Sequence, residues 1–391
     1  MPSHSHCAGR SLEDDELTSK TDRMIRQLFE LESAGITEES EAETSEIIQH
    51  YYNTVIVKDG LIYVKFPWKS HHPHLPDNKA LAMRRLENQY AKLHTDLNVW
   101  EEYSKTFEQQ LESGIIEDVH QNSPTGKIIY YIPHQAVHKE DSATTKLRIV
   151  FDASSHCRGA PSLNDCMHQG PTMLPDLCGT LIRGRLSPIL ITADVEKAFH
   201  QIRLREDQRD ATRFLWLKDP TRPPSQDNIR ILRFTRIPFG VNASPFLLSM
   251  SIKYALERDE KNQLRKEILG NTYVDNLLIG ANNVEEGILK QKQCKNTFAR
   301  MHMNLRQFMS NSEEVMRTIN KQDRMSKTSS TVKLLGILWN PRVDTIGVTA
   351  KASLKEITTK RMALMAFAST FDPLGFLTPL FVRAKIFIQD L

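Results

Sequence analysis

Two apolar, strand-like runs in this 391-residue chain carry aspartates at their ends, and no other feature constrains the fold as strongly. The first is Pro188-Ile189-Leu190-Ile191-Thr192-Ala193-Asp194. The second is Tyr273-Val274-Asp275-Asn276-Leu277-Leu278-Ile279-Gly280, in which apolar residues flank a tight polar pair. Asp and Asn tolerate left-handed backbone, so Asp275-Asn276 reads as the two-residue turn of a β-hairpin. Taken singly, each aspartate is an ordinary turn residue. Two strand-end carboxylates from distant parts of one chain are also what a magnesium-dependent phosphoryl-transfer site requires.

Composition narrows the function classes. The net charge is only +3, so any nucleic-acid-binding surface must come from local clustering. The five cysteines, Cys7, Cys157, Cys166, Cys178 and Cys294, are odd in number and loosely spaced. That argues against a disulfide framework and fits a reducing compartment. His156, Cys157, Cys166 and His168 offer a zinc-binding module as an alternative to plain loop and core thiols, although their spacing matches no zinc template. No apolar run is long enough to span a bilayer, and the N-terminus lacks the basic-then-apolar pattern of a secretory signal. The expectation is a soluble, intracellular, cytoplasmic protein with no membrane partner.

Along the chain, the first residues read as an acidic tail holding one short helix at Met24, Ile25, Leu28, Phe29 and Leu31. Residues 54–57 and 61–64 flank Lys58-Asp59-Gly60, a hairpin signal. Residues 78–118 have helical periodicity through Leu86, Tyr90, Trp100, Tyr103 and Phe107. Residues 128–132 and 135–137 lead through a polar tip containing Lys139 to a return strand at 146–152. Arg148 and Lys139 on this hairpin suit phosphate, Arg by bidentate contact and Lys as a point charge, or else blunt an edge strand. Residues 153–187 read as loop-rich and 205–230 as an exposed excursion. Phe199, just beyond Asp194, reads equally as a pocket floor or a core aromatic. Phe239-Gly240 forms a turn whose glycine allows close approach to a ligand, and Pro245 suits a helix start. Residues 284–304 read as helix, 332–339 as strand, and Ala350 to Ala368 as a basic amphipathic helix. A turn-rich segment at 371–380 then leads into a last helix.

The order of these parts is more specific than any of them alone. Leu147-Arg148-Ile149-Val150-Phe151-Asp152-Ala153-Ser154-Ser155, Leu163-Asn164-Asp165, Ala193-Asp194-Val195-Glu196-Lys197-Ala198-Phe199-His200-Gln201-Ile202 and Phe371-Asp372-Pro373-Leu374-Gly375 resemble the reverse transcriptase of Pao/BEL-type LTR retrotransposons. The resemblance implies an α+β, right-hand polymerase of fingers, palm and thumb, with a ferredoxin-like palm sheet. On that reading 1–47 is the acidic tail and 48–118 an N-terminal hairpin and helical extension. Fingers occupy 119–187 and an excursion at 205–235. Palm segments are 188–204 and 236–340, the latter with the primer grip, and the thumb or connection starts at 341–391.

The resemblance also implies an RNA-directed DNA polymerase domain of a retrotransposon polyprotein. Such a nucleotidyltransferase adds deoxynucleoside triphosphates to the 3′-hydroxyl of a primer on an RNA or DNA template, in retroelement particles or the cytoplasm. Asp194 and Asp275 would be catalytic and hold two Mg²⁺ ions. Lys139 and Arg148 would neutralise the triphosphate, and Phe199 would exclude a 2′-hydroxyl. Phe239 and Gly240 would line the nucleotide pocket, and Leu335, Gly336 and Trp339 would grip the primer.

The family pattern has two consecutive aspartates at the hairpin, and here the second is Asn276. Asn keeps the size and one oxygen but loses the charge. Perturbing metal-site partners costs about 10–100-fold, so the expected loss here is at least about 100-fold. The alternative is a catalytically dead, polymerase-fold relic that only binds nucleic acid. No Asp-Thr-Gly or Asp-Ser-Gly marks an aspartic protease, and the chain is expected to stop short of any ribonuclease H or integrase region.

Overall fold

The structure is a computed structural model and describes residues 41–120, 126–138, 147–259, 263–326, 330–349 and 357–390. The expected helix around Met24, the polar tip with Lys139, and residues 350–356 of the expected basic helix lie outside these. The chain forms two compact units, Met1–Gln49 and His50–Leu391. Of the first, only the opening part of helix α1, Glu41–Thr54, is described. Among the described residues the second unit holds every other element.

Strands β1, Ile56–Lys58, and β2, Leu61–Val64, form the expected hairpin. Asp59 and Gly60 are both left-handed, at φ 53° and 75°, as a tight Asp-Gly turn requires. The helical stretch after it is two helices, α2, Lys79–Leu93, and α3, Leu97–Glu112. Asp96 caps α3 by accepting from Val99 N at 3.2 Å. The stretch ends as a strand, β3, Ile116–Asp118.

Residues 128–132 do not form the expected strand beyond an isolated parallel bridge of Tyr131 with Arg213. Their amides go to separate partners, Tyr130 N to Asp210 O, Tyr131 N to Asp77 O and Ile132 N to Arg213 O, so no ladder is built. The strand is β4, His134–His138, which pairs with β5, Leu147–Phe151. The stretch expected to be loop-rich contains helix α4, Leu177–Leu186, capped by Asp176. Strands β6, Ile189–Val195, and β7, Arg203–Leu204, come next.

The expected excursion at 205–230 divides in two: Gln208 to Leu217 is mostly core, and the tip at 218–227 is largely exposed, as expected. Strand β8, Arg213–Leu217, buries Phe214, Leu215, Trp216 and Leu217, and pairs with β9, Ile229–Phe234. In the buried part the charges that made it look exposed are paired inside, while Arg222 and Asp227 pair in solvent at the tip. Asp210 is fully buried, with Arg213 Nε at 2.8 Å and Arg233 Nη1 at 3.0 Å, while Glu117 holds Arg209 and Arg233. Burial pushes the Asp210 carboxyl up, but the Gly126 amide and the two guanidiniums outweigh it and hold the group below its ordinary value. On the other side lies an aromatic core of Tyr103, Phe107, Phe151, Phe214 and Trp216 around a buried His134.

The remaining elements are α5, Ser244–Arg258; α6, Arg265–Asn271; β10, Thr272–Tyr273; β11, Asn276–Ala281; α7, Val284–Arg300; β12, Leu305–Ser310; and α8, Glu313–Thr318. Beyond them lie β13, Val332–Leu334; β14, Ile337–Asn340; β15, Thr345–Gly347; α9, Lys360–Ala368; and α10, Thr378–Asp390.

The sheet that matters for function is antiparallel, in the order β10-β11-β6-β12. Alternate residues of a strand point to opposite faces. Helix α7 covers the face of Ile191 and Ala281, where Gly287 lets it approach closely. The opposite face carries Leu190, Leu278 and Met309 at one end, and Asp194, Asn276 and Arg306 at the other. Its apolar end is capped by Leu181 of α4 and by Leu334, Ile337 and Trp339 of the β13–β14 hairpin. The residues of the charged end are half-buried.

Candidate active site

The charged end of the sheet is a row set by register. Tyr273 pairs with Asn276, Asn276 with Asp194, and Asp194 with Arg306. Directly opposed residues in antiparallel strands project to the same face, so Asn276, Asp194 and Arg306 share one surface. The hairpin turn itself is displaced by one residue from the expected Asp275-Asn276. It is Val274-Asp275, and Asn276 is the first residue of β11. The pairing of β11 with β6 fixes this register: Asn276 opposes Asp194, and Val195 N donates to the Asp275 carbonyl at 2.7 Å. As a consequence Val274, a β-branched residue, sits in the left-handed region at φ 57°, a costly conformation for that side chain.

Asp275 therefore stands at the tip beside Asp194, and the two carboxylates repel. Burial raises the Asp194 carboxyl to about 7, helped by the charges of Asp275 and Glu196 and opposed by Arg306. Burial also raises Asp275, against hydrogen bonds from its own amide and from Asn276. The Asn276 amide nitrogen donates to Asp275 Oδ1 at 2.8 Å. Arg306 is turned partly toward Glu196, Nη1 to Oε1 at 2.9 Å, and Asn304 Nδ2 holds the other Glu196 oxygen at 2.9 Å.

Half-buried carboxylates, one of them raised by burial and by the charge of the other, suit a hard divalent cation. Among the described residues no three His, Cys, Asp or Glu side chains assemble to hold a metal. Two carboxylates with the other positions left to water and phosphate oxygens match the way magnesium is bound. The zinc-module alternative gains no support: Cys157 is exposed, Cys166 is buried, and His156 Nδ1 lies 2.9 Å from the Ser154 carbonyl.

Beyond Asp194, Lys197 turns left-handed at φ 47° and starts a 3₁₀ turn, Ala198–Gln201. This brings Phe199 edge-on to Phe239, ring centres 4.8 Å apart at 87°. Phe239 is 47% exposed. Gly240 has φ 91°, and a Cβ there would overlap the Phe151 carbonyl oxygen, so both conformation and space demand glycine. Phe199, Phe239 and Gly240 are thus brought together next to the end of β5. Arg148 is exposed on β5, opposite Val137. Lys139 lies outside the described residues.

Leu335 and Gly336 form a tight turn at φ 47° and 95° between β13 and β14, with Phe371 packed against Gly336. Trp339 requires correction. It is completely buried and donates Nε1 to Asp344 Oδ1 at 3.0 Å, so its ring roots the hairpin and is not a surface that a primer can touch. Sequence reasoning missed Arg306 and Glu196. Arg306 meets Asp194 only across strands, which no local spacing announces, and Glu196, two residues beyond Asp194, matters only once Arg306 is placed beside it.

Two family models match the chain. Residues 137–337, more than half of it, match the reverse transcriptase (RNA-dependent DNA polymerase) model, and residues 359–391 match the Pao retrotransposon-like RNaseH-like domain. The second match overturns the expectation that the chain stops short of any ribonuclease H-like region. No curated protein matches. Among the described residues no helix is long and apolar enough to cross a membrane. Reverse transcriptases as a family bind a primed template and deoxynucleoside triphosphates and generally use divalent metal ions. By the match over its centre and the Pao-type stretch after it, this chain belongs to the reverse transcriptase family and is the RNA-directed DNA polymerase of a Pao/BEL-type retrotransposon polyprotein.

Proposed function

We propose that Asp194 and Asp275 are the catalytic carboxylates and that together they hold two Mg²⁺ ions. The observation that carries this is the Tyr273–Asn276–Asp194–Arg306 row with Asp275 at its turn, two half-buried carboxylates at the charged end of the sheet. The bound cations would supply charge neutralisation and acidify the primer 3′-hydroxyl. Asp194 and Asp275 would orient that hydroxyl and the triphosphate toward each other. Arg148, with Lys139, would neutralise the triphosphate, and Phe199 would exclude a 2′-hydroxyl. Phe239 and Gly240 would wall the nucleotide pocket. Leu335 and Gly336 would meet the primer, with Trp339 acting through the packing of their hairpin.

A ferredoxin-like palm is supported by the element order β6-α5-β10-β11-α7-β12 and the strand order β10-β11-β6-β12. We assign palm to 188–204 and 236–340, fingers to 119–187 and 205–235, and the start of thumb or connection to 341–391, whose last part, 359–391, is the stretch that matches the RNaseH-like model. The working compartment on this reading is the cytoplasm or a retroelement particle.

Asn276 lowers the negative charge of the site, and its amide engages an Asp275 oxygen that a cation would use. This favours impaired chemistry, and it also favours the second reading, a relic that binds nucleic acid without turnover. On a primed RNA template with Mg²⁺, Asn276→Asp should extend at least about 100-fold faster than the chain as it stands. Equal rates would refute the role given to Asn276. Salt-dependent binding without extension by either protein would establish the relic, and extension that survives Asp194→Ala would remove the catalytic assignment.

A further inference from the structure

The Pro238–Asn242 turn is held in a conformation that a mere connection between β9 and α5 would not keep. Gly240 lies at φ 91° against the Phe151 carbonyl. Asn242 Oδ1 is buried without a hydrogen-bond partner. Phe239 leaves almost half its ring in water. A glycine-only backbone and a buried, unpaired amide oxygen persist where the surroundings fix them.

Most of the hydrogen bonds that fix the turn come from one residue, distant in sequence. Asn164 begins the 3₁₀ turn Asn164–Cys166. Its Nδ2 donates to Ser154 Oγ at 2.8 Å and to the Gly240 carbonyl at 3.2 Å. Its Oδ1 accepts from Asn242 N at 3.0 Å, and its own carbonyl accepts from Asn242 Nδ2 at 3.1 Å. Ser244 Oγ secures the other end by donating to the Pro238 carbonyl at 2.7 Å. A planar amide that donates and accepts at once is what this arrangement needs, and an aspartate, a serine or an alanine can do only part of it.

We propose that Asn164 is a positioning residue for nucleotide selection: by clamping the Pro238–Asn242 turn to the end of β5, it holds Phe239 edge-on to Phe199 and so fixes the width of the pocket beside Asp194. This rests on the reading of Phe199 and Phe239 as pocket walls. Asn164 itself need touch no substrate. Its effect is on where the aromatic pair stands, and displacements of about 1 Å in such supporting shells are costly.

The test is single-turnover extension of a primed RNA template by the full chain, over a range of each deoxynucleotide and its ribonucleotide counterpart. Thermal unfolding is recorded alongside, and the lifetime of the nucleotide-bound primer–template complex gives the same comparison without turnover. Asn164→Ala should raise the apparent Kd for deoxynucleotide about tenfold, change the maximal rate by less than about threefold, and lower the deoxy-to-ribo preference about tenfold. Asn164→Asp keeps the acceptor for Asn242 N but loses both donations. It should shift the preference in the same direction by less, and it serves if the alanine variant does not fold. An unchanged preference in both Asn164 variants, with Phe199→Val altering it, overturns the inference alone. An unchanged preference in Phe199→Val overturns the pocket reading beneath it.

Discussion

Asp194 shows how one side chain can be destabilising and functional at once. Its carboxyl stands at about 7 against an ordinary 3.8, so between those values the native state holds a proton that the unfolded chain has released. Stability contributed by this group therefore falls as pH rises from about 4 to about 7, and is level above that. His134 and His200, buried with values of about 4, act in the opposite sense, losing stability as pH falls below about 6.5. The Asp194 share is read by difference. In urea titrations at pH 8, Asp194→Asn should be more stable than wild type by about 1–2 kcal/mol after allowance for solvent screening, and the difference should vanish by pH 4. A constant difference across that range would mean that the carboxyl is not raised. Both aspartates were legible in the sequence because strand ends and turn residues have local signatures. The exact turn was not. Asp and Asn are better turn formers than valine, and local preference pointed to 275–276 until the β11–β6 ladder overrode it at the expense of Val274.

The β13–β14 hairpin is held from beneath. Trp339 fills the cluster with Leu181, Leu190, Leu278, Met309, Leu334 and Ile337, and its indole N–H shares Asp344 with Arg185, whose Nη1 lies 2.5 Å from Oδ1. Trp339→Ala should cost about 3–5 kcal/mol in denaturant unfolding, and a loss below about 1 kcal/mol would show that this cluster does not anchor the hairpin. Elements with long, regular apolar spacing, such as α3 and α7, were readable from sequence. Strand β8 was not, because Arg213 and its neighbours Asp210 and Arg209 imitate a solvated stretch, and only the distant Arg233 and Glu117 turn them into an interior network. Helix α4 was hidden in the same way by the glycines and prolines around it.

For the whole molecule, a net charge of +3 leaves nucleic-acid affinity to local cations such as Arg148. Primer–template binding should weaken at least about tenfold between about 50 and 200 mM salt; binding indifferent to salt would place the contacts on something other than phosphate. The scaffold that presents those contacts does not depend on the charge at residue 276. Asn276 lies in the ladder between Tyr273 and Asp194, and an aspartate of the same shape would ask for no movement of the backbone. Codons for Asn and Asp differ only at their first base. In hereditary terms, the impairment proposed for this copy makes it dormant more than lost: a single A-to-G change would return the missing charge to a sheet edge already shaped to receive it.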